Sequence, residues 1–174
     1  MAMILKYDFA PDALENKTPL NVAANLETLD TTFPDLDAIV LTSKDPFISE
    51  YVPLSNNPRY GVSGFTGSVG DAVYFTKRAR AVAPSLKPVA LFVDGRYHLQ
   101  ADNETDSKLV DVVKLDVQPN IEAGIHKTLF SSPALKGKTL KVGIDYERTS
   151  VAELARFEDS AKKAGAQLFH IKGE

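Results

Sequence analysis

The 174-residue chain contains no cysteine and no tryptophan. Without a thiol it can mount no cysteine nucleophile, build no zinc finger or iron–sulfur site, and close no disulfide. That fits a reducing compartment. Long hydrophobic runs are missing as well: apolar stretches last only a few residues, far short of the ~20 needed to cross a bilayer. The opening Met-Ala-Met-Ile-Leu-Lys has no basic region followed by a long apolar one, so no signal peptide is expected. Positive charge is not in excess, because 20 Lys and Arg against 23 Asp and Glu leave a net charge of −3. A dedicated nucleic-acid binder would be strongly basic. Histidine is scarce. His98, His126 and His170 lie far apart, with no His-x-x-x-His or His-Glu pair near any of them, so spacing supports no metal site. They read as surface or packing histidines.

What is present is ordinary globular material, 44% hydrophobic and 25% charged, without repeats or low-complexity tracts. The length suits one domain, since domains typically run ~100–200 residues, and leaves no room for a second. Strands alternate with helices. A first helix is expected over 19–29, with Thr18 as its cap, Pro19 at its first position and Val22, Leu26 and Leu29 as its apolar stripe. Ala38 to Leu41 is a continuous apolar run that suits a buried strand. Asn56-Asn57-Pro58 reads as a turn, and Tyr60 to Ser63 as a short strand. Asp71 to Thr76 alternates, with Val73 and Phe75 on one face and Ala72 and Tyr74 on the other. Residues 77–88, rich in Lys, Arg and Pro, read as a solvated connection rather than a phosphate site. Strands are expected at Val89 to Val93, Leu109 to Val117, Leu140 to Ile144 and Gln167 to Ile171, and helices at Tyr97 to Ala101 and Ile121 to Phe130. The last helix is the clearest: Ser150-Val151-Ala152-Glu153 spells a capping box, and Gly165 closes it.

Three stretches invite a chemical reading. Gly61-Val62-Ser63-Gly64-Phe65 nearly spells a nucleophile elbow, but Phe65 stands where a glycine belongs. Gly64-Phe65-Thr66-Gly67-Ser68-Val69-Gly70 matches neither the dinucleotide fingerprint nor a phosphate loop, and reads as a tight turn joining two paired strands. Asp94-Gly95-Arg96-Tyr97 ends a buried strand and opens a helix, where open α/β sheets bind ligands. There Asp94 can cap the helix, Arg96 offers a planar fork for carboxylates, and Glu50 is the opposite charge to look for.

Taken in order, Ser49-Glu50-Tyr51-Val52-Pro53, then Ser63 to Gly70, then Asp94-Gly95-Arg96-Tyr97-His98-Leu99-Gln100-Ala101 resemble the N-terminal domain of Xaa-Pro aminopeptidases (aminopeptidase P). These belong to the creatinase and prolidase superfamily, and the resemblance is to the three-domain cytosolic type. It covers residues 37–117 strongly and the remainder in layout. Val69 and His98 depart from the common Ala and aromatic residue, and the 77–88 connection looks long.

The resemblance implies a three-layer α/β/α fold with a mixed, ribonuclease-H-like sheet. It implies that catalysis belongs to a C-terminal pita-bread domain of the same polypeptide, where two manganese or similar divalent ions activate a water against the bond before proline. Residues 1–174 are then a single N-terminal domain without that catalytic domain, inactive alone and cytoplasmic. It would shape access for peptides with proline second and join subunit contacts such as those of a homodimer. The resemblance makes Glu50 and Arg96 substrate-channel residues, with no catalytic residue and no metal ligand in this chain. A standalone binding or assembly module is the alternative. A nuclease is disfavoured, because Ile39-Val40-Leu41 carries no central carboxylate.

Overall fold

Alternation of apolar side chains across short strands, and their helical repeat between them, dictate the architecture. The computed structural model describes residues 5–7, 20–117 and 119–173. Seven strands form one sheet: β1 (Leu5–Tyr7), β2 (Ala38–Leu41), β3 (Asp71–Phe75), β4 (Val89–Val93), β5 (Val110–Lys114), β6 (Lys141–Asp145) and β7 (Gln167–Gly173), in the order β1-β7-β6-β2-β3-β4-β5. β3 runs antiparallel to β2 and β4, and every other neighbouring pair is parallel. The sheet is therefore mixed, as expected.

Helices cover both faces. On one side α1 (Val22–Thr32), α2 (Pro58–Ser63) and α4 (His98–Glu104) bury Leu26, Leu29, Val62 and Ala101 against Ile39, Tyr74 and Leu91. On the other, α3 (Lys77–Val82), α5 (Ile121–Phe130) and α6 (Val151–Ala164) bury Ala79, Ile125, Leu129 and Phe157 against Val40, Val73, Phe75 and Phe92. Val73 and Phe75 point to one layer, Ala72 and Tyr74 to the other. This is the three-layer α/β/α arrangement that the resemblance implied.

Several boundaries differ from expectation. The first helix starts at Val22, capped by Asn21, whose side chain accepts from the Ala24 amide at 3.0 Å. It runs on to Thr32, while Thr18 and Pro19 lie outside the described residues. Residues 60–63 are helical, not extended. Asn57 caps Tyr60 and Pro58 takes the first helical position, so the Asn-Pro pair starts a helix rather than merely turning the chain. The 77–88 connection holds the short helix α3, which Thr76 caps. Ser150 and Glu153 form the expected capping box, and Gly165 ends α6 at φ 69°.

Candidate functional site

The carboxyl ends of β2, β4, β5 and β6, together with the amino end of β3, lie along one edge of the sheet. Loops leaving that edge enclose a cleft of about 1170 Å³. Its walls are the 43–54 segment, the 66–71 glycine loop, the Asp94-Gly95-Arg96 turn and residues 115–117 and 120–122. Ligand sites in open α/β sheets form at such strand ends.

Two buried arginines build these walls. Arg59 on α2 is fully buried and donates from Nη1 to the Phe65 carbonyl (2.8 Å) and from Nη2 to the Gly67 carbonyl (2.6 Å). It also lies 4.7 Å over the Phe65 ring. Burial pushes its pKa down to about 10, against the pull of Asp71 and Glu104, and it stays charged at neutral pH. Arg148 gathers the other wall. Its Nη1 donates to the carbonyls of Lys44 and Asn56 at 2.9 Å each, its Nη2 to Asn56 Oδ1 at 2.7 Å, and its Nε stands 3.3 Å from Asp145. Neither residue was singled out from the sequence, because an arginine that snorkels and one that clamps backbone carbonyls look alike there.

The glycine loop corrects an expectation. It joins α2 to β3 rather than two paired strands. Gly64 closes α2 in the left-handed region at φ 75°. A Cβ on Gly67 would lie 2.2 Å from Phe65 Cζ and 2.8 Å from Tyr97 Cδ1, so only glycine fits beneath that edge-to-face pair. Glu104 anchors the loop from outside by accepting from the Thr66 amide (2.8 Å) and hydroxyl (2.9 Å). Across the cleft, Asp45 accepts from the Phe47 and Ser49 amides. The Ser49 amide chiefly holds the Asp45 carboxyl below its usual range. Between them the β-branched Ile48 sits at φ 54°, a backbone conformation that costs of order 1–3 kcal/mol.

Glu50 and Arg96 both line the cleft and both are exposed. They do not pair. Arg96 forks onto Asp94, with Nη2–Oδ2 at 2.7 Å and Nε–Oδ1 at 3.1 Å, and lies 5.4 Å over the Tyr97 ring. That contact lowers the Asp94 pKa and raises that of Arg96. The neighbour two residues away captures the guanidinium at less entropic cost than a residue on another loop. Asp94 does not cap α4 as expected: Tyr97 is its N-cap, and Asp94 instead accepts from the Arg96 amide at 3.0 Å.

Ser63 is buried and donates its hydroxyl to the Arg59 carbonyl, so it is no nucleophile. His98 Nε2 bonds the Leu115 carbonyl oxygen at 3.0 Å, and His170 stacks on Tyr146 at 4.5 Å. His126 Nδ1 lies 2.9 Å from Ser160 Oγ, with Glu122 3.9 Å from its other nitrogen. Ser160 sits within α6, whose backbone amides are committed to the helix and supply no oxyanion hole there. Among the described residues no three His, Cys, Asp or Glu side chains gather where a metal ion could be held. The two metals implied by the resemblance do not fit this donor set.

No protein-family model matches the chain. It is 29% identical over 184 residues to a probable Xaa-Pro aminopeptidase P of Talaromyces marneffei, covering 97% of this chain and 25% of that protein. Aminopeptidase P1 of Arabidopsis thaliana is 31% identical over 135 residues, covering 78% of this chain and 18% of the relative. The chain thus spans a quarter or less of these relatives. Among solved structures, the X-prolyl aminopeptidase of Caenorhabditis elegans, a cytosolic enzyme with a di-nuclear active site, aligns over 94% of this chain with a TM-score of 0.66 and 24% identity. The N-terminal, creatinase/prolidase-like domain of a Corynebacterium diphtheriae metallopeptidase aligns over 88% of this chain and 94% of its own, with a TM-score of 0.50 and 17% identity. The fold is the one these solved structures share. With its sequence relatives, the chain belongs to the Xaa-Pro aminopeptidase P family.

Proposed function

We propose that residues 1–174 form a single, non-catalytic domain of a dimetal Xaa-Pro aminopeptidase, one that shapes substrate access and contributes to subunit contacts. The metals and the bond-breaking chemistry belong, on this reading, to a C-terminal catalytic domain of the same polypeptide. Peptides with proline second reach that domain past the cleft described above, and Glu50 and Arg96 are channel residues rather than catalysts. One observation carries the reading: the motif stretches 49–53, 63–70 and 94–101, scattered through the chain, all contribute residues to one cleft at one sheet edge. The fold is organised to present those motifs together, with their anchors behind them.

The test uses the parent enzyme. Glu50→Ala and Arg96→Ala should each lower kcat/KM for an Xaa-Pro peptide by about tenfold, the equivalent of ~1.4 kcal/mol of transition-state stabilisation, with an unchanged melting temperature. Wild-type kinetics in both variants would defeat the assignment of these residues to the channel.

A further inference from the structure

Resting on that reading of the cleft, we infer that it selects cationic peptides, with Glu50 and Asp116 as the residues that set the preference. The charges facing it are unbalanced. Six carboxylates line it, those of Glu50, Asp71, Asp94, Asp116, Glu122 and Glu153, against the two cations Lys44 and Arg96. Both cations are already spent within the protein. Lys44 pairs with Glu153, and Arg96 with Asp94. Glu122 is held by Arg156, and Asp71 accepts from the Thr42 hydroxyl at 2.8 Å and the Ser43 amide at 3.0 Å.

Glu50 and Asp116 remain. Both are exposed, and neither has an ion pair or side-chain hydrogen bond among the described residues. They reach the cleft from separate stretches, Glu50 from the loop after β2 and Asp116 from the residues after β5. A cleft of one sign between low-dielectric walls concentrates ligands of the other sign.

The apolar part of the rim suits the same ligand. Tyr51 and Val117 are 77% and 87% exposed, and Ile48 is 46% exposed, unusual openness for large apolar side chains in one place. A lysine or arginine carries a hydrocarbon stem that can lie on such side chains while its head reaches a carboxylate. The Tyr51 ring adds a face for a cation. An acidic peptide would meet two unpaired carboxylates with no free cation on the lining to answer it. A neutral peptide would gain the apolar contacts alone.

Calorimetry on this chain with Lys-Pro-Ala-Ala, Leu-Pro-Ala-Ala and Glu-Pro-Ala-Ala amides tests the inference. The lysine peptide should bind about tenfold more tightly than the leucine peptide at low salt, with most of that margin lost at about 0.5 M salt. The glutamate peptide should bind weakest. In E50Q/D116N, which breaks no ion pair or side-chain hydrogen bond among the described residues, the lysine and leucine peptides should bind alike. Equal binding of all three peptides to the wild-type chain, or a margin that survives E50Q/D116N, would overturn the charge preference and leave the peptide-access reading standing. Failure of all three to bind would overturn both.

Discussion

At the scale of single residues, the cleft depends on side chains that never face a ligand. Arg59 is the strongest case. Its guanidinium is removed from water, and the two loop carbonyls, the Phe65 ring and the charges of Asp71 and Glu104 compensate it. Buried hydrogen bonds from a charged donor contribute ~1.5–3 kcal/mol each. Arg59→Leu removes both and leaves the carbonyls of Phe65 and Gly67 without their donor, so a loss of about 3 kcal/mol is expected. Equilibrium urea unfolding measures it, and a change below about 1 kcal/mol would show that the loop holds its shape unaided. Arg59→Lys should recover little, because a point-like ammonium cannot span two carbonyls as the planar fork does.

At the scale of elements, local signals set what was readable in advance. The capping box of α6 and the alternation in β3 were legible because each lies within a few residues, and the structure agrees with both. Residues 60–63 were misread because Asn57-Pro58 carries the same turn chemistry whether it ends a strand or starts a helix. The cleft was legible only as separate motifs. Nothing local announces that Arg148 reaches back 104 residues to the Lys44 carbonyl. Long-range pairings of that kind are decided by how the strands order in the sheet.

The element with the clearest signal also gives the sharpest test. Ser150 accepts from the Glu153 amide at 3.3 Å while Glu153 accepts from the Ser150 amide at 3.1 Å, and the same Glu153 holds Lys44 in the cleft wall. Burial acts to raise the Glu153 carboxyl, but hydrogen bonds from Lys44 and Ser150 hold it below its ordinary value. Ser150→Ala should cost ~1 kcal/mol, the usual value of an N-cap. For a chain of this length that is a fall of roughly 2–4 °C in melting temperature by calorimetry. A variant that melts with the wild type would mean that α6 is held by Phe157 and its packing alone.

At the scale of the whole molecule, the question is what one folded unit with this sheet can do without further chain. Its two apolar clusters each close on their own face of the sheet, so the layers are satisfied within the described residues. Four of the six cleft carboxylates, on separate elements, are answered by Lys44, Arg96, Arg156 and the Thr42 and Ser43 donors, and among the described residues the carboxylates do not converge as metal ligands. Ser63 is turned into α2, and Ser160 lies within α6, whose backbone amides are committed to the helix. On the proposed reading the cleft orients a peptide for a catalytic domain and does not itself cleave it. Purified chain supplied with manganese and an Xaa-Pro peptide should therefore release no amino acid above a buffer control, while its thermal melt shows the cooperative transition of a folded domain. Turnover that co-purifies with the chain through successive columns and follows its concentration would refute a purely guiding role and require catalytic residues within these 174 positions.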